Sequence, residues 1–369
     1  MTRIAILGAG NGGCAAAADL TLRGHSVALF DLPEFAHLLK PIQERGGLEI
    51  IGEGFARLDT ITTNIAEALH GAAFVFNPVP AFAHEVFART CAPYVADGQT
   101  IVTWGKGGAC LIYGKVFRDA GVTADVALGD TNTLPYGATR MGPTLVRIEG
   151  RVLELITAAF PGRLIARLVA ALQAAFPNYA IRPAKSVLES ILVDYNALTH
   201  PPPMICNAAR IERGDPTFCL FDQTANTPAV VNLIRLVDRE RLAISQALGI
   251  TAYALEEEIY HVGWNPAGRE NEGVLPLYDA IHTEKLEICE GPFKLNTRHL
   301  TEDIPYGLFT YCELGRMLGV PTPVSEALVT IAGGLLGRDF RREGRSLEKL
   351  GIDPQWSVQR LYEYLETGE

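Results

Sequence analysis

Near its start the chain carries Gly8-Ala9-Gly10-Asn11-Gly12-Gly13, a G-x-G-x-x-G string. Alone the string is a weak signal, but here it follows the short apolar run Arg3–Leu7 and opens the Ala/Leu-rich stretch Ala15–Leu22. A strand, a glycine turn and a helix in that order is the context that gives the string meaning. Gly8 permits the tight turn, Gly10 has no side chain to block a pyrophosphate, and Gly13 lets the helix lie close to the strand. The helix start then offers free N–H groups and a partial positive charge to phosphates. The reading assigns Gly8, Gly10, Asn11, Gly12 and Gly13 to a dinucleotide, against the plainer alternative of a glycine-rich turn without a ligand. Ser26–Phe30 reads as the second strand, and Asp31 ends it, 18 residues after Gly13. A carboxylate there can accept hydrogen bonds from the adenosine ribose and would repel a 2′-phosphate, which favours NAD and leaves NADP as the second choice.

Further strand signals, at 73–77, 100–104 and 125–128, alternate with helical stretches near 82–94 and 109–120. Such alternation predicts an α/β, doubly wound, mostly parallel sheet with helices on both faces. After about residue 180 strand signals become rare, and helical spacing dominates, as in 229–248 and 322–336. The expected division is a Rossmann-type dinucleotide-binding domain over 1–183 and a mostly α-helical substrate and catalytic domain over 184–369.

Composition narrows the function classes. With 32 Lys+Arg against 42 Asp+Glu, a net charge of −10 and no long basic run, nucleic acid and anionic membrane are poor partners. No apolar stretch is long enough to span a bilayer, and no secretory leader is read at the N-terminus. Seven scattered cysteines form no C-x-x-C pair, which fits a reducing cytoplasm rather than a disulfide framework. The eight histidines do not fall at metal-ligand spacing, so no metal is expected.

Polar positions then stand out. Asn77-Pro78-Val79-Pro80-Ala81 ends a strand, where ligands bind in such sheets, so Pro80 and Ala81 are candidates to line the cofactor cleft. Gly105-Lys106-Gly107-Gly108 follows another strand, with Lys106 read as a solvated loop lysine in preference to a catalytic acid. In the second half, Asn196-Ala197-Leu198-Thr199-His200-Pro201-Pro202-Pro203 places His200 before a proline, at a helix break. Leu295-Asn296-Thr297-Arg298-His299-Leu300-Thr301-Glu302-Asp303-Ile304-Pro305 concentrates two carboxylates, an arginine and a histidine.

These second-half segments resemble the opine dehydrogenase family. The segment around His200, followed by Asn207-Ala208-Ala209-Arg210, resembles its catalytic segment, and Arg298 to Asp303 with Pro305 and Gly307 resembles its second active-site segment. Asp339-Phe340-Arg341-Arg342-Glu343-Gly344-Arg345-Ser346-Leu347-Glu348-Lys349-Leu350-Gly351 also matches. The likeness runs along essentially the whole chain; it is nearest to family members of the N-(1-D-carboxyethyl)-L-norvaline dehydrogenase type, with octopine dehydrogenase further off. It implies a reaction: an α-keto acid such as pyruvate condenses with the amino group of an amino acid, and NAD(P)H reduces the imine to a secondary amine dicarboxylate. It also implies roles, with His200 and Asp303 as the acid–base pair and Arg298 as a binder of substrate carboxylate. Gly129-Asp130-Thr131-Asn132-Thr133-Leu134-Pro135-Tyr136 resembles a family stretch near the nicotinamide more loosely, and through it Thr133 becomes a candidate substrate contact. A homodimer is an analogy with the family alone.

The chemistry suits these residues. Hydride delivery to C=O or C=N needs a proton donor, and histidine titrates near working pH. A neighbouring carboxylate fixes its tautomer and favours its protonated form. Arginine binds carboxylates with two parallel hydrogen bonds. His299, four residues before Asp303, is the rival proton carrier. Two other functions stay open at this point: a ketopantoate reductase-type enzyme that makes a hydroxy acid without an amine and relies on a lysine, here Lys106, and a nucleotide-sensing binding protein. Nothing in the second half specifies the pocket for the amino acid side chain.

Overall fold

A computed structural model describes residues 2–261, 269, 271–282 and 291–369. The chain divides into two compact units, Met1–Ser190 with Tyr362–Glu369, and Ile191–Leu361.

The first unit is built on an eight-stranded sheet. Its strands are β1 (Arg3–Leu7), β2 (Ser26–Phe30), β5 (Thr60–Thr62), β6 (Phe74–Asn77), β7 (Thr100–Trp104), β8 (Ala127–Thr131), β11 (Glu154–Phe160) and β12 (Ala180–Pro183). They lie in the order β12-β11-β8-β7-β6-β1-β2-β5, and every neighbouring pair is parallel except β8 with β11. Short runs such as Ile4-Ala5-Ile6-Leu7 are fully buried, as a sheet covered on both faces demands. The chain leaves β1 towards β2 on one side and returns to β6 on the other. The carboxyl ends of β1 and β6 therefore flank the switch point, where a crevice forms in doubly wound sheets.

A second sheet of four strands does not follow from the sequence pattern. It comprises β3 (Gly47–Ile50), β4 (Gly54–Arg57), β9 (Tyr136–Gly142) and β10 (Leu145–Arg151), in the order β4-β3-β10-β9. This sheet packs on helix α1 (Asn11–Leu22), whose other side lies on the main sheet. Sandwiched in this way, α1 buries every residue from Gly12 to Leu20, and its run of alanines lets both layers come close. The buried Asp19 of α1 receives Arg23 at 2.9 Å and Arg151 of β10 at 3.1 Å, which pins the second sheet to the helix.

The last residues also belong to the first unit. Tyr364 is buried, its ring lies 5.2 Å from that of Phe160, and Arg118 stacks on it at 5.6 Å. This packing sets residues 362–369, together with 184–190, apart from the helical region to which the sequence pattern had assigned them.

In the second unit the regular elements among the described residues are helices, with one isolated bridge between Cys219 and Gly291. The longest helices are Pro228–Ala247 and Pro323–Leu336, each with a proline in its first turn, where a missing N–H costs nothing. The buried Glu240 accepts hydrogen bonds from the backbone N–H groups of Val324 and Ser325 and from the Ser325 hydroxyl, fastening the two helices together. No described helix is long and apolar enough to cross a membrane.

Candidate active site

In the first unit, the glycine turn has the geometry its residues require. Gly8 takes φ of +100°, a left-handed value, and its N–H donates to the Phe30 carbonyl at 2.7 Å. A Cβ on Gly13 would stand 1.7 Å from the Gly8 carbonyl oxygen, so only glycine allows α1 to start this close to β1. Gly10 differs: nothing lies within 4 Å of where its Cβ would be. That open space beside a helix N-terminus fits a pyrophosphate. Asn11 begins α1, and its side-chain oxygen accepts the backbone N–H of Arg140 at 3.2 Å.

Asp31 is buried, with Oδ2 accepting the Ala9 N–H at 2.7 Å and Oδ1 accepting the Leu32 N–H at 2.8 Å. Its carboxylate therefore holds the glycine turn against the end of β2, a bracing role added to the ribose contact expected of it. Burial, the largest influence, raises the Asp31 pKa above the ordinary carboxylate range, partly offset by the two backbone donors. Cys14, one turn into α1, is no nucleophile: burial pushes its thiol up to about 11, and it points at the Ala9 carbonyl, 3.2 Å away.

The segment after β6 meets the turn through Val79 and Pro78. Val79 Cγ1 lies 2.5 Å from where a Gly8 Cβ would stand, and Pro78 Cβ lies 3.4 Å from that of Gly12. Pro80 is exposed and Ala81 is buried at the start of a short 3-10 turn. Leu134 reaches both glycine segments, 2.7 Å from the Cβ positions of Gly12 and Gly105. Thr133 lies in this same loop, where its carbonyl accepts the Thr131 hydroxyl at 2.7 Å. Lys106 is buried rather than solvated. Its loop is folded over the buried Asp130, which accepts the N–H groups of Gly108 at 2.6 Å and Cys110 at 2.8 Å. Nothing in the sequence pattern marked Asp130 as an anchor.

In the second unit, the two motif segments come together. His200 ends the helix Tyr195–Thr199 and heads the helix Pro201–Cys206, and despite the proline that follows it keeps a helical backbone, with φ of −88° and ψ of −50°. Its Nδ1 lies 2.7 Å from Asp303 Oδ2, and both side chains are almost wholly buried. Asp303 precedes a π-helical turn, Ile304–Leu308, that packs on the helix bearing His200. Gly307 makes the approach possible, since a Cβ there would meet the Ala197 Cβ at 2.5 Å.

The C-terminal motif buttresses the same turn. The Arg345 N–H donates to the Pro305 carbonyl at 2.8 Å, its guanidinium stacks on Tyr306 at 5.6 Å, and a Cβ on Gly344 would strike Phe309 at 2.3 Å. Lys349 closes the knot by donating to the carbonyls of Arg342, Glu343 and Gly344. Asn207, from the first motif, donates to the Pro203 and Ala225 carbonyls and is thus structural. Arg298 is exposed in the first turn of the short helix Arg298–Thr301, with no ion pair among the described residues.

His299 stacks against His200 with ring centroids 4.7 Å apart, and its Nδ1 lies 3.1 Å from Thr297 Oγ1. Burial, then the neighbouring His200 and Arg298 charges, lowers its pKa to about 3, against an opposing pull from Asp303. A ring neutral down to that pH is a poor proton donor near neutrality. Between its ordinary value of 6.5 and about 3, the unfolded chain binds a proton that the folded chain refuses. Stability therefore falls as pH falls through that window. His299→Gln is expected to flatten this acid limb, read as melting temperature against pH; an unchanged slope would contradict it.

Residues 183–336 match the family described as NAD/NADP octopine/nopaline dehydrogenase, alpha-helical domain. An opine dehydrogenase from Arthrobacter sp. (strain 1C) is 34% identical over 355 residues, 94% of each chain. The chain belongs to the opine dehydrogenase family. An octopine dehydrogenase from Mizuhopecten yessoensis is 26% identical over 82% of this chain and 79% of its own. The solved structure of octopine dehydrogenase in complex with NADH and agmatine shares the fold, with a TM-score of 0.81 at 20% identity over 100% of this chain and 98% of that one. The chain is accordingly an NAD(P)-dependent oxidoreductase, and the lysine-based keto-acid reductase alternative is set aside.

Proposed function

We propose that this opine dehydrogenase joins an α-keto acid of the pyruvate class to the amino group of an amino acid, with His200 as the proton carrier of the reaction. The observation that carries the reading is the buried His200–Asp303 pair at 2.7 Å. With Nδ1 turned to Asp303, Nε2 is left as the nitrogen that exchanges protons with substrate, and it has no hydrogen-bond partner among the described residues. Asp303 fixes the ring in that orientation.

The keto acid and the amine condense to an imine with loss of water. The bound coenzyme supplies the hydride that reduces the C=N carbon. Overall, keto acid, amino acid, NAD(P)H and one proton give the secondary amine dicarboxylate, NAD(P)⁺ and water. His200 donates a proton to the departing oxygen or to the imine nitrogen and recovers it from solvent. Arg298 binds a substrate carboxylate, a role supported by its exposed guanidinium and by its charge acting on His299, the ring packed against His200; Thr133 is a second substrate contact through family resemblance. Gly8, Gly10, Asn11, Gly12, Gly13 and Asp31 hold the coenzyme, with Pro80 and Ala81 at the rim. The seven cysteines, scattered along the chain without a C-x-x-C pair, suit work in a reducing cytoplasm.

Arg298→Met is expected to raise the KM for the keto acid by about 10–100-fold with a smaller change in kcat, from loss of a charge-assisted hydrogen bond of about 1.5–3 kcal/mol. Steady-state kinetics in keto acid checks this, and an unchanged KM would remove Arg298 from carboxylate binding. The reaction itself is tested by the mass of the product formed from pyruvate, NADH and a panel of amino acids. It should equal the two substrates combined, less water, plus two hydrogens; lactate as the sole product would refute the reading.

A further inference from the structure

Arg140 stands out among the cations of the first unit. It lies on β9 of the second sheet, 131 residues after the glycine turn, yet its guanidinium closes on that turn. Nη1 donates to the Ala9 carbonyl at 2.9 Å, and Nη2 donates to the Pro143 carbonyl at 2.7 Å and the Leu38 carbonyl at 3.4 Å. Its own backbone N–H is held by the Asn11 side chain at 3.2 Å. The Ala9 peptide is thereby gripped from both ends, its N–H by Asp31 and its carbonyl by Arg140.

All of these partners are neutral. Among the described residues Arg140 forms no ion pair, in a protein with 42 acidic against 32 basic residues, where a carboxylate partner is in ample supply. The guanidinium has five N–H groups. The three bonds to carbonyls leave the Nε hydrogen and one on Nη1 uncommitted. A partly buried cation, already fixed in place by carbonyls, loses little freedom when an anion arrives. The nearest feature built for an anion is the start of α1, with open space at Gly10, the residue following Ala9.

We propose that Arg140 is the cation of the coenzyme's phosphate site, a role that rests on the glycine turn being the dinucleotide site. It reinforces the α1 N-terminus with a full charge, where the helix alone offers only about half of one.

The test is direct titration of NADH and NADPH, by coenzyme fluorescence or calorimetry at several salt concentrations. It compares the unaltered protein with Arg140→Gln and Arg140→Lys. Arg140→Gln is expected to weaken NADH binding by about 10–100-fold at low salt, the loss of one charge-assisted contact. It should also flatten the dependence of Kd on salt, because a screened charge pair has gone. Arg140→Lys, which keeps the charge, should keep the salt dependence. Flattening for both coenzymes assigns the contact to the pyrophosphate they share; flattening for NADPH alone assigns it to the 2′-phosphate. Weaker binding with an unchanged salt slope would show that Arg140 only shapes the turn, and unchanged binding would show that it does neither; either result overturns the proposal. Gly10→Val serves as the control for the underlying reading. If that variant binds NADH as well as the unaltered protein does, the glycine turn is not the coenzyme site, whatever Arg140 does.

Discussion

His200→Ala is expected to lower turnover by roughly 10²–10⁴-fold in the reductive direction, the usual worth of a positioned general acid. Coenzyme affinity, measured by titration, should be nearly unchanged, since His200 belongs to the other unit from the glycine turn. Removing the ring also takes a close partner from the buried Asp303 carboxylate, which costs stability. His200→Asn separates the two effects, because its amide can still donate to Asp303 while carrying no exchangeable proton of suitable pKa. A comparable loss in both variants locates the effect in proton transfer. A loss below about threefold in both would take His200 out of the chemistry.

The second large effect comes from two glycines that the motif treats alike and the structure separates. Gly10 has φ of −76° and ψ of −166°, extended values open to any residue, and no atom near its Cβ position. Gly10→Val should therefore fold with an unchanged melting temperature while its side chain occupies the phosphate space. Coenzyme affinity is expected to fall by about 100-fold or more, the equivalent of one or two lost charge-assisted hydrogen bonds. Gly13→Ala should do the reverse first. Its methyl would overlap the Gly8 carbonyl at 1.7 Å, forcing α1 off β1 at a cost of about 1–3 kcal/mol or more in stability. Melting curves and NADH titrations on the two variants check the contrast. A strongly destabilised Gly10→Val, or a Gly13→Ala with unaltered stability, would contradict it.

The parts of this protein that were legible in the sequence are those governed by local rules. β1, the glycine turn and α1 announce themselves because a buried parallel strand, a tight turn and a helix each have a short-range signature. The long helices 228–247 and 323–336 show their spacing for the same reason. The second sheet was not legible. Its strands, such as Tyr136–Gly142 and Leu145–Arg151, are rich in glycine and arginine and only partly buried, so their pairing is decided by the partner they find rather than by their own pattern. With that sheet went Arg140, whose meaning depends on a contact with Ala9 that no spacing reveals.

The same contrast holds at the site. His200 and Asp303 were visible as family motifs, whereas their 2.7 Å contact across 103 residues rests on the packing of Gly307 against Ala197. Lys106 and Asp130 show the limit of residue habits: a lysine expected in solvent is buried, in a loop shaped by a carboxylate that accepts backbone N–H groups. Pro80 and Ala81 were read from their place after a strand, yet Pro78 and Val79 make the close approach to the glycines.

The most direct measurement is NADH oxidation by the purified protein with pyruvate, followed with and without a panel of amino acids and then repeated with NADPH. Oxidation is expected only when keto acid and amine are both present, and the most active amine names the substrate class. Equal oxidation with pyruvate alone would contradict it and place the protein among enzymes that make hydroxy acids.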